Sequence, residues 1–113
     1  MIVQITSTVV PEPHLNAYFE HAQTHEMADY ESAAGLVSVW LLRRPYVAYV
    51  EVMTVSLWKS TQALHQFMKS QVSEYRGGVD YGAVRMEART YELATLLEGK
   101  RRDVNVADPG STE

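Results

Sequence analysis

LVSVWLLRRPYVAYVEVMTVSLW, residues 36–58, decides the fold. Leu36–Arg43 and Tyr46–Trp58 are both rich in β-branched and aromatic residues, which suit a pleated, half-buried backbone, and only Arg44 and Pro45 separate them. The stretch therefore predicts a β-hairpin with a tight connection. In its second strand Val47, Tyr49, Met53, Val55 and Leu57 take one face and Tyr46, Ala48, Val50, Val52 and Trp58 the other. Both faces are apolar, so a sheet built on this strand needs cover on each side.

Upstream, Ile2–Val10 (IVQITSTVV) alternates, with Val3, Ile5 and Val9 on one face and Gln4, Thr6 and Thr8 on the other, and reads as a strand with one well-packed face. Pro11, Glu12 and Pro13 stop it and suit the first turn of a helix, where a missing N–H costs nothing. Leu15, Tyr18, Phe19, Ala22, Met27 and Tyr30 follow at helical spacing and predict a helix over 13–31. Gly35 supplies the positive φ that a helix exit commonly requires. Downstream, Ser60 is a candidate N-cap, and Leu64, Phe67, Met68 and Val72 mark a second amphipathic helix over 61–72. Residues 73–82 are loop chemistry, and Val84–Leu97 predicts a fourth strand. One domain over 1–98 is expected, followed by a polar, partly disordered tail over 99–113.

The order β-α-β-β-α-β is that of an α+β, ferredoxin-like domain: two helices on one face of a four-stranded antiparallel sheet. Because the far face of the third strand is also apolar, the expectation is a homodimer packed sheet to sheet, the alternative being a curled sheet whose far side is covered by residues 98–113.

Composition narrows the function. A chain of 113 residues is one small domain, and without cysteine it has no disulfide framework, thiolate nucleophile, iron–sulfur cluster or Cys-type zinc site. A formal charge of −4 with no basic cluster argues against nucleic-acid binding. No run approaches the length of a membrane span, and MIVQITST lacks the basic start of a secretion signal, so a cytoplasmic, membrane-free protein is expected. The charge is uneven: residues 1–42 hold no Lys or Arg but five acids, Glu12, Glu20, Glu26, Asp29 and Glu31. These acids fall on the first helix, whereas Lys59, Lys69 and Arg76 lie on or beside the second. The two helices therefore differ in sign across the space between them, which favours an anionic or enolisable ligand lying toward the second helix.

VSLWKSTQALHQFMKSQV, residues 55–72, resembles the antibiotic biosynthesis monooxygenase-like group of dimeric α/β barrels, in which a strand-ending Trp runs into a W-x-S-x-x-A-[aromatic or Leu] helix start. Trp58, Ser60, Ala63 and Leu64 match that pattern, as do the Pro11 turn and the G-[LF]-x-x-x-x-L-L-R run at Gly35–Arg43. The resemblance spans about residues 2–97. It implies a homodimeric α/β barrel with a hydrophobic small-molecule cavity between helices and sheet, and a choice of chemistries. Members include quinone-forming monooxygenases that use no metal or flavin, haem-degrading enzymes, isomerases, and proteins without an assigned reaction.

The leading expectation is a monooxygenase that oxidises a small aromatic or polyketide-like substrate without a cofactor. Such a site needs a dry aromatic cavity with one or two donors for a substrate oxyanion. Trp58, Arg76 and Tyr75 are the candidate catalytic residues, Arg76 as a fixed cation and Tyr75 as a donor; Thr6, Trp40, Phe67 and Tyr81 are candidate substrate contacts. Trp58 and Phe67 could equally be core, and Arg76, before Gly77 and Gly78, a solvated loop residue. Two further readings stay open: a non-catalytic ligand-binding or regulatory dimer, and haem binding or degradation at an altered site. The haem-degrading pattern places Asn, Trp and His where this chain has Thr6, Phe67 and Gly77, with Tyr75 as a conceivable substitute iron ligand.

His14, Tyr18, His21 and His25 form a stripe along the first helix, and His21 and His25 could share a metal. Ala22 occupies the position a zinc-protease motif reserves for Glu, so the stripe reads as an exposed polar face and no metal site is expected.

Overall fold

The computed structural model describes residues 1–74 and 84–99. Four strands, β1 (Ile2–Pro11), β2 (Leu36–Pro45), β3 (Tyr49–Trp58) and β4 (Val84–Glu92), form one antiparallel sheet in the order β2-β3-β1-β4. The helical stretch between β1 and β2 runs as a 3₁₀ turn (Glu12–His14), α1 (Leu15–His21), a π-helical turn (Ala22–Glu26) and α2 (Met27–Glu31). A single helix, α3 (Thr61–Glu74), joins β3 to β4. This is the α+β, ferredoxin-like arrangement the element order predicts.

Local chemistry sets the boundaries. Pro11 and Pro13 end β1 and open the first helical turn, which carries no side-chain cap. At the other end Gly35 takes φ 87°, and Lys59 N–H donates to its carbonyl at 2.8 Å, fastening the turn to the end of β3. A Cβ at Gly35 would stand 2.5 Å from the Ala63 Cβ, so the chain passes α3 closely enough to require glycine there. Ser60 caps α3, its Oγ accepting from Ala63 N–H at 3.1 Å.

Two strand boundaries differ from the sequence expectation. β2 continues through Arg44 and Pro45, and the hairpin turns at Tyr46–Ala48, with Tyr46 N–H donating to the Tyr49 carbonyl at 2.8 Å. β2 is an edge strand, where a proline's missing donor leaves no ladder bond unmade. β4 stops at Glu92 instead of Leu97 because its partner runs out: Glu92 pairs with Ile2, and only Met1 remains to accept Leu93 N–H, at 2.9 Å.

Pairing of β1 with β3 places Ile2, Gln4, Thr6, Thr8 and Val10 opposite Trp58, Ser56, Thr54, Val52 and Val50. The last four of these β3 residues and Trp58 are buried, and the helices pack on this side. The helix-facing side of β1 is thus its polar side. Val3, Ile5 and Val9, together with Met53, Val55 and Leu57 of β3, form the opposite, helix-free face. Trp40 and Leu42 of β2 extend that face and are about half exposed, at 49% and 47%. At its β4 end Arg89 grips Glu87 in a two-pronged ion pair and donates to Tyr91 Oη at 3.0 Å. The hydrogen bond and charge of Arg89 hold the Glu87 carboxyl below its ordinary pKa of 4.5.

Candidate functional site

The core on the helix side is divided. One cluster gathers Val10, Val50 and Val52 under Leu15, Tyr18, Phe19 and Leu41. The other joins Tyr30, Trp58 and Leu64 with Ile2, Met27, Leu36, Val39 and Phe67. Between them the sheet presents Gln4, Thr6 and Thr8 from β1 and Thr54 and Ser56 from β3. Gln4, Thr54 and Ser56 are buried and Thr6 half-buried. Thr6 pairs laterally with Thr54 on one side and with the exposed Ala88 on the other, so the polar strip opens toward β4. Among the described residues no buried side-chain nitrogen or oxygen lacks a hydrogen-bond partner, so the strip is a satisfied polar seam between two apolar clusters, a setting in which a few polar groups can orient a ligand.

The strip is anchored from the second cluster. The Trp58 indole N–H donates to Ser56 Oγ at 2.9 Å, Ser56 Oγ donates to the Gln4 carbonyl at 3.4 Å, and the Gln4 amide donates to Met68 Sδ of α3 at 3.5 Å. Trp58 itself is wholly buried. It faces Phe67 at 5.1 Å between ring centres, and Phe67 stacks on Tyr30 at 4.6 Å. This three-ring wall closes one end of the strip. At the far end Arg43 lies with its guanidinium 5.4 Å from the Phe19 ring centre. The π turn, whose Ala22 is completely buried, lies in the helical stretch covering this side; its widened geometry, with Met27 N–H reaching back to the Ala22 carbonyl, is a form frequent at functional sites.

The structure brings together Thr6, Trp58 and Phe67 on the helix side of the sheet. It does not bring Trp40 to them. Leu36 pairs with Trp58, but a bulge follows and Ser38 pairs with Leu57; without it Trp40 would lie opposite Thr54 on the helix side, whereas it lies opposite Val55 on the helix-free face. Tyr75, Arg76 and Tyr81, with Gly77, lie outside the described residues. Gln4, Thr54 and Ser56 are additions that the sequence reading missed. Their signal is present as polar residues alternating with Ile5 and Val55 in two neighbouring strands, but alternation alone does not say which face of β1 the helices cover.

His21 and His25 stack ring on ring at 4.6 Å, and no group of three or more His, Asp or Glu is placed to hold a metal ion among the described residues. No helix among the described residues is long and apolar enough to cross a membrane.

No protein-family model matches the sequence, and no curated protein matches it. Solved structures do match. The chain has the antibiotic biosynthesis monooxygenase fold. A Deinococcus radiodurans protein described as a candidate antibiotic biosynthesis monooxygenase superposes with a TM-score of 0.67 at 9% identity, covering 89% of this chain and 100% of that one. The Streptomyces coelicolor monooxygenase ActVA-Orf6, solved with the ligand nanaomycin D, gives 0.59 at 14% identity, over 88% of this chain and 92% of that one. The haem degrader MhuD of Mycobacterium tuberculosis, with two haems in its active site, gives 0.59 at 23% identity, over 88% and 100%. This fold thus carries both chemistries, and the side chains must separate them.

Proposed function

We propose that the protein is a cofactor-independent monooxygenase that binds a small phenolic or enolisable aromatic molecule against the Thr6–Thr54 strip and oxidises it with dioxygen. The observation that carries this reading is the hydroxyl strip set between two apolar clusters and closed by the Tyr30–Trp58–Phe67 wall. A flat apolar substrate gains from burial and ring contact, while Thr6 and Gln4 offer hydrogen bonds to its oxygen. Trp58, its N–H held by Ser56, acts in this reading as the rigid backing of Phe67. By residue chemistry alone, this reading gives Arg76 and Tyr75 the stabilising of the substrate oxyanion and Tyr81 a substrate contact.

The chemistry balances without an external reductant. A ring CH₂ flanked by an enolisable ketone gives up its two hydrogens, one oxygen atom becomes the new carbonyl, and the other leaves as water. All four electrons that dioxygen accepts come from the substrate. The protein's part is to hold the enolate, orient it and keep water away.

Haem suits poorly the residues this chain has at the positions of the haem-degrading pattern. Thr6 replaces the amide of the haem-degrading pattern, Phe67 lacks an indole N–H, and Gly77 has no side chain with which to ligate iron. The strip offers hydroxyls and a carboxamide where haem iron takes imidazole, thiolate, thioether or phenolate.

The helix-free face supports a homodimer. Val3, Ile5, Val9, Met53 and Val55 with the half-exposed Trp40 and Leu42 form a largely apolar surface, interrupted by the hydrogen-bonded Ser7–Glu51 pair, that a second copy placed sheet to sheet would cover.

Oxygen uptake with an anthrone and a quinol panel, compared between wild type and Thr6→Val, tests the enzyme reading. Substrate-dependent uptake lost in the variant supports it. No uptake across the panel, with ligand binding retained, overturns it in favour of a binding module. Haemin titration gives a parallel check, and a Soret shift at stoichiometric haemin would contradict the assignment.

A further inference from the structure

With no cysteine in the chain, its five methionines carry all of its oxidisable sulfur. One of them, Met68 of α3, is tied to the polar strip. Its side chain is 40% exposed, yet its Sδ accepts the side-chain amide of Gln4, a residue only 6% exposed, at 3.5 Å. Met27 and Met53 are half-buried, and Met1, which precedes β1, is exposed.

The amide is given to a poor acceptor. A thioether sulfur accepts weakly, and the bond to Gln4 occupies only one of its two lone pairs. The Gln4 backbone is fixed, because Ser56 Oγ donates to its carbonyl at 3.4 Å and is itself held by the Trp58 indole N–H at 2.9 Å. The carboxamide can therefore leave Sδ at small cost and turn its N–H to a ligand oxygen on the strip.

We propose that Met68 is an oxidation site that switches this donor. Hydrogen peroxide transfers one oxygen atom to Sδ: the O–O bond breaks, an S–O bond forms, sulfur loses two electrons, and water leaves. A sulfoxide oxygen is a stronger acceptor than a thioether sulfur. A separation of 3.5 Å leaves no room for an oxygen in line between Sδ and the amide nitrogen, so the exposed side chain swings outward until the new oxygen takes the N–H. Gln4 is then committed to α3 and lost to a ligand. The modification and its capture of Gln4 stand on the Met68 contact alone, whereas the loss of ligand binding rests on the substrate reading of the strip. An oxygenase of that kind releases peroxide whenever dioxygen takes two electrons without inserting oxygen, which makes uncoupled turnover the signal for the switch.

The test treats the full chain with hydrogen peroxide and reads it three ways. Peptide mass spectrometry is expected to find one added oxygen on Met68 well before Met27 and Met53. The Gln4 side-chain amide is expected to move downfield in NMR, and the pair of methionine sulfoxide reductases, one for each epimer, to reverse both changes. In Met68→Leu, which keeps Met1, peroxide should leave the Gln4 amide in place. Affinity for alizarin, a phenolic probe already at the quinone level, should fall about tenfold on oxidation, the worth of about one hydrogen bond. Oxidation of Met68 no faster than of Met27 and Met53, a Gln4 amide that stays still in the Met68 sulfoxide, or equal alizarin affinity before and after treatment would each overturn the proposal. Failure of alizarin to bind untreated protein refutes the substrate reading, while the amide signal, read without ligand, still decides the Met68 site.

Discussion

Replacing Gly35 with Ala probes the junction between the first helical stretch and α3. Gly35 sits at φ 87°, where an L-residue is strained by about 1–2 kcal/mol. The new methyl would also stand 2.5 Å from the Ala63 Cβ, and neither neighbour is a flexible chain end that can swing away. Overpacking of this kind costs about 1–3 kcal/mol. Together these give about 2–5 kcal/mol, a large part of the roughly 5–15 kcal/mol that holds a domain of this size. At about 4 °C per kcal/mol the melting temperature should fall by about 8–20 °C. Urea unfolding of Gly35→Ala, Ala63→Gly and the double variant separates the two causes. Ala63→Gly costs about 1 kcal/mol of helix propensity alone, but in the Gly35→Ala background it should restore the overpacking share and leave the φ strain. A loss below about 1 kcal/mol in Gly35→Ala, or strict additivity in the double variant, would refute the close-approach reasoning.

Thr6→Val keeps volume and removes the central hydroxyl of the strip, so oxygen uptake should fall sharply while the urea midpoint stays close to wild type; a large loss of stability would instead make Thr6 a structural residue. Trp58→Phe breaks the bond to Ser56 and leaves space beside Phe67, and chemical denaturation should read a loss of about 2–4 kcal/mol. Ser60→Ala removes the α3 cap, worth about 1 kcal/mol by the same measurement. The Glu87 carboxyl is held low by Arg89, so its contribution is complete above the ordinary carboxylate pKa of 4.5 and disappears as pH falls through the lowered folded value. NMR titration of the Glu87 side chain should show that lowered midpoint, and Arg89→Ala should return it to the ordinary range; an unchanged midpoint would discount the ion pair. Size-exclusion chromatography with light scattering should give twice 12.8 kDa, and a monomer at all concentrations would contradict the sheet-to-sheet dimer.

The local signals were legible because each is a short-range rule. Ser60 caps α3, Gly35 turns with positive φ, and the proline pair ends β1, all as residue chemistry dictates. The π turn was not legible, since Leu15, Tyr18, Phe19 and Ala22 keep ordinary helical spacing up to its first residue. Phe67 and Trp58 were recognisable as aromatic partners, but only the packing of Tyr30 against both makes them one wall.

The sequence by itself determined the element order, and with it the antiparallel four-stranded sheet bearing one layer of helices, because hydrophobic period and turn chemistry are local properties. Tertiary structure alone decided which side of that sheet is which. An alternating strand specifies two faces and is silent on which one the helices cover, so Gln4, Thr6 and Thr8 became the lining of the candidate site and Val3, Ile5 and Val9 the outer face. The same silence governed Trp40: one extra residue between Leu36 and Ser38 reverses every side chain after it, and that bulge is fixed by pairing with β3, across the sheet, not by the residues of β2.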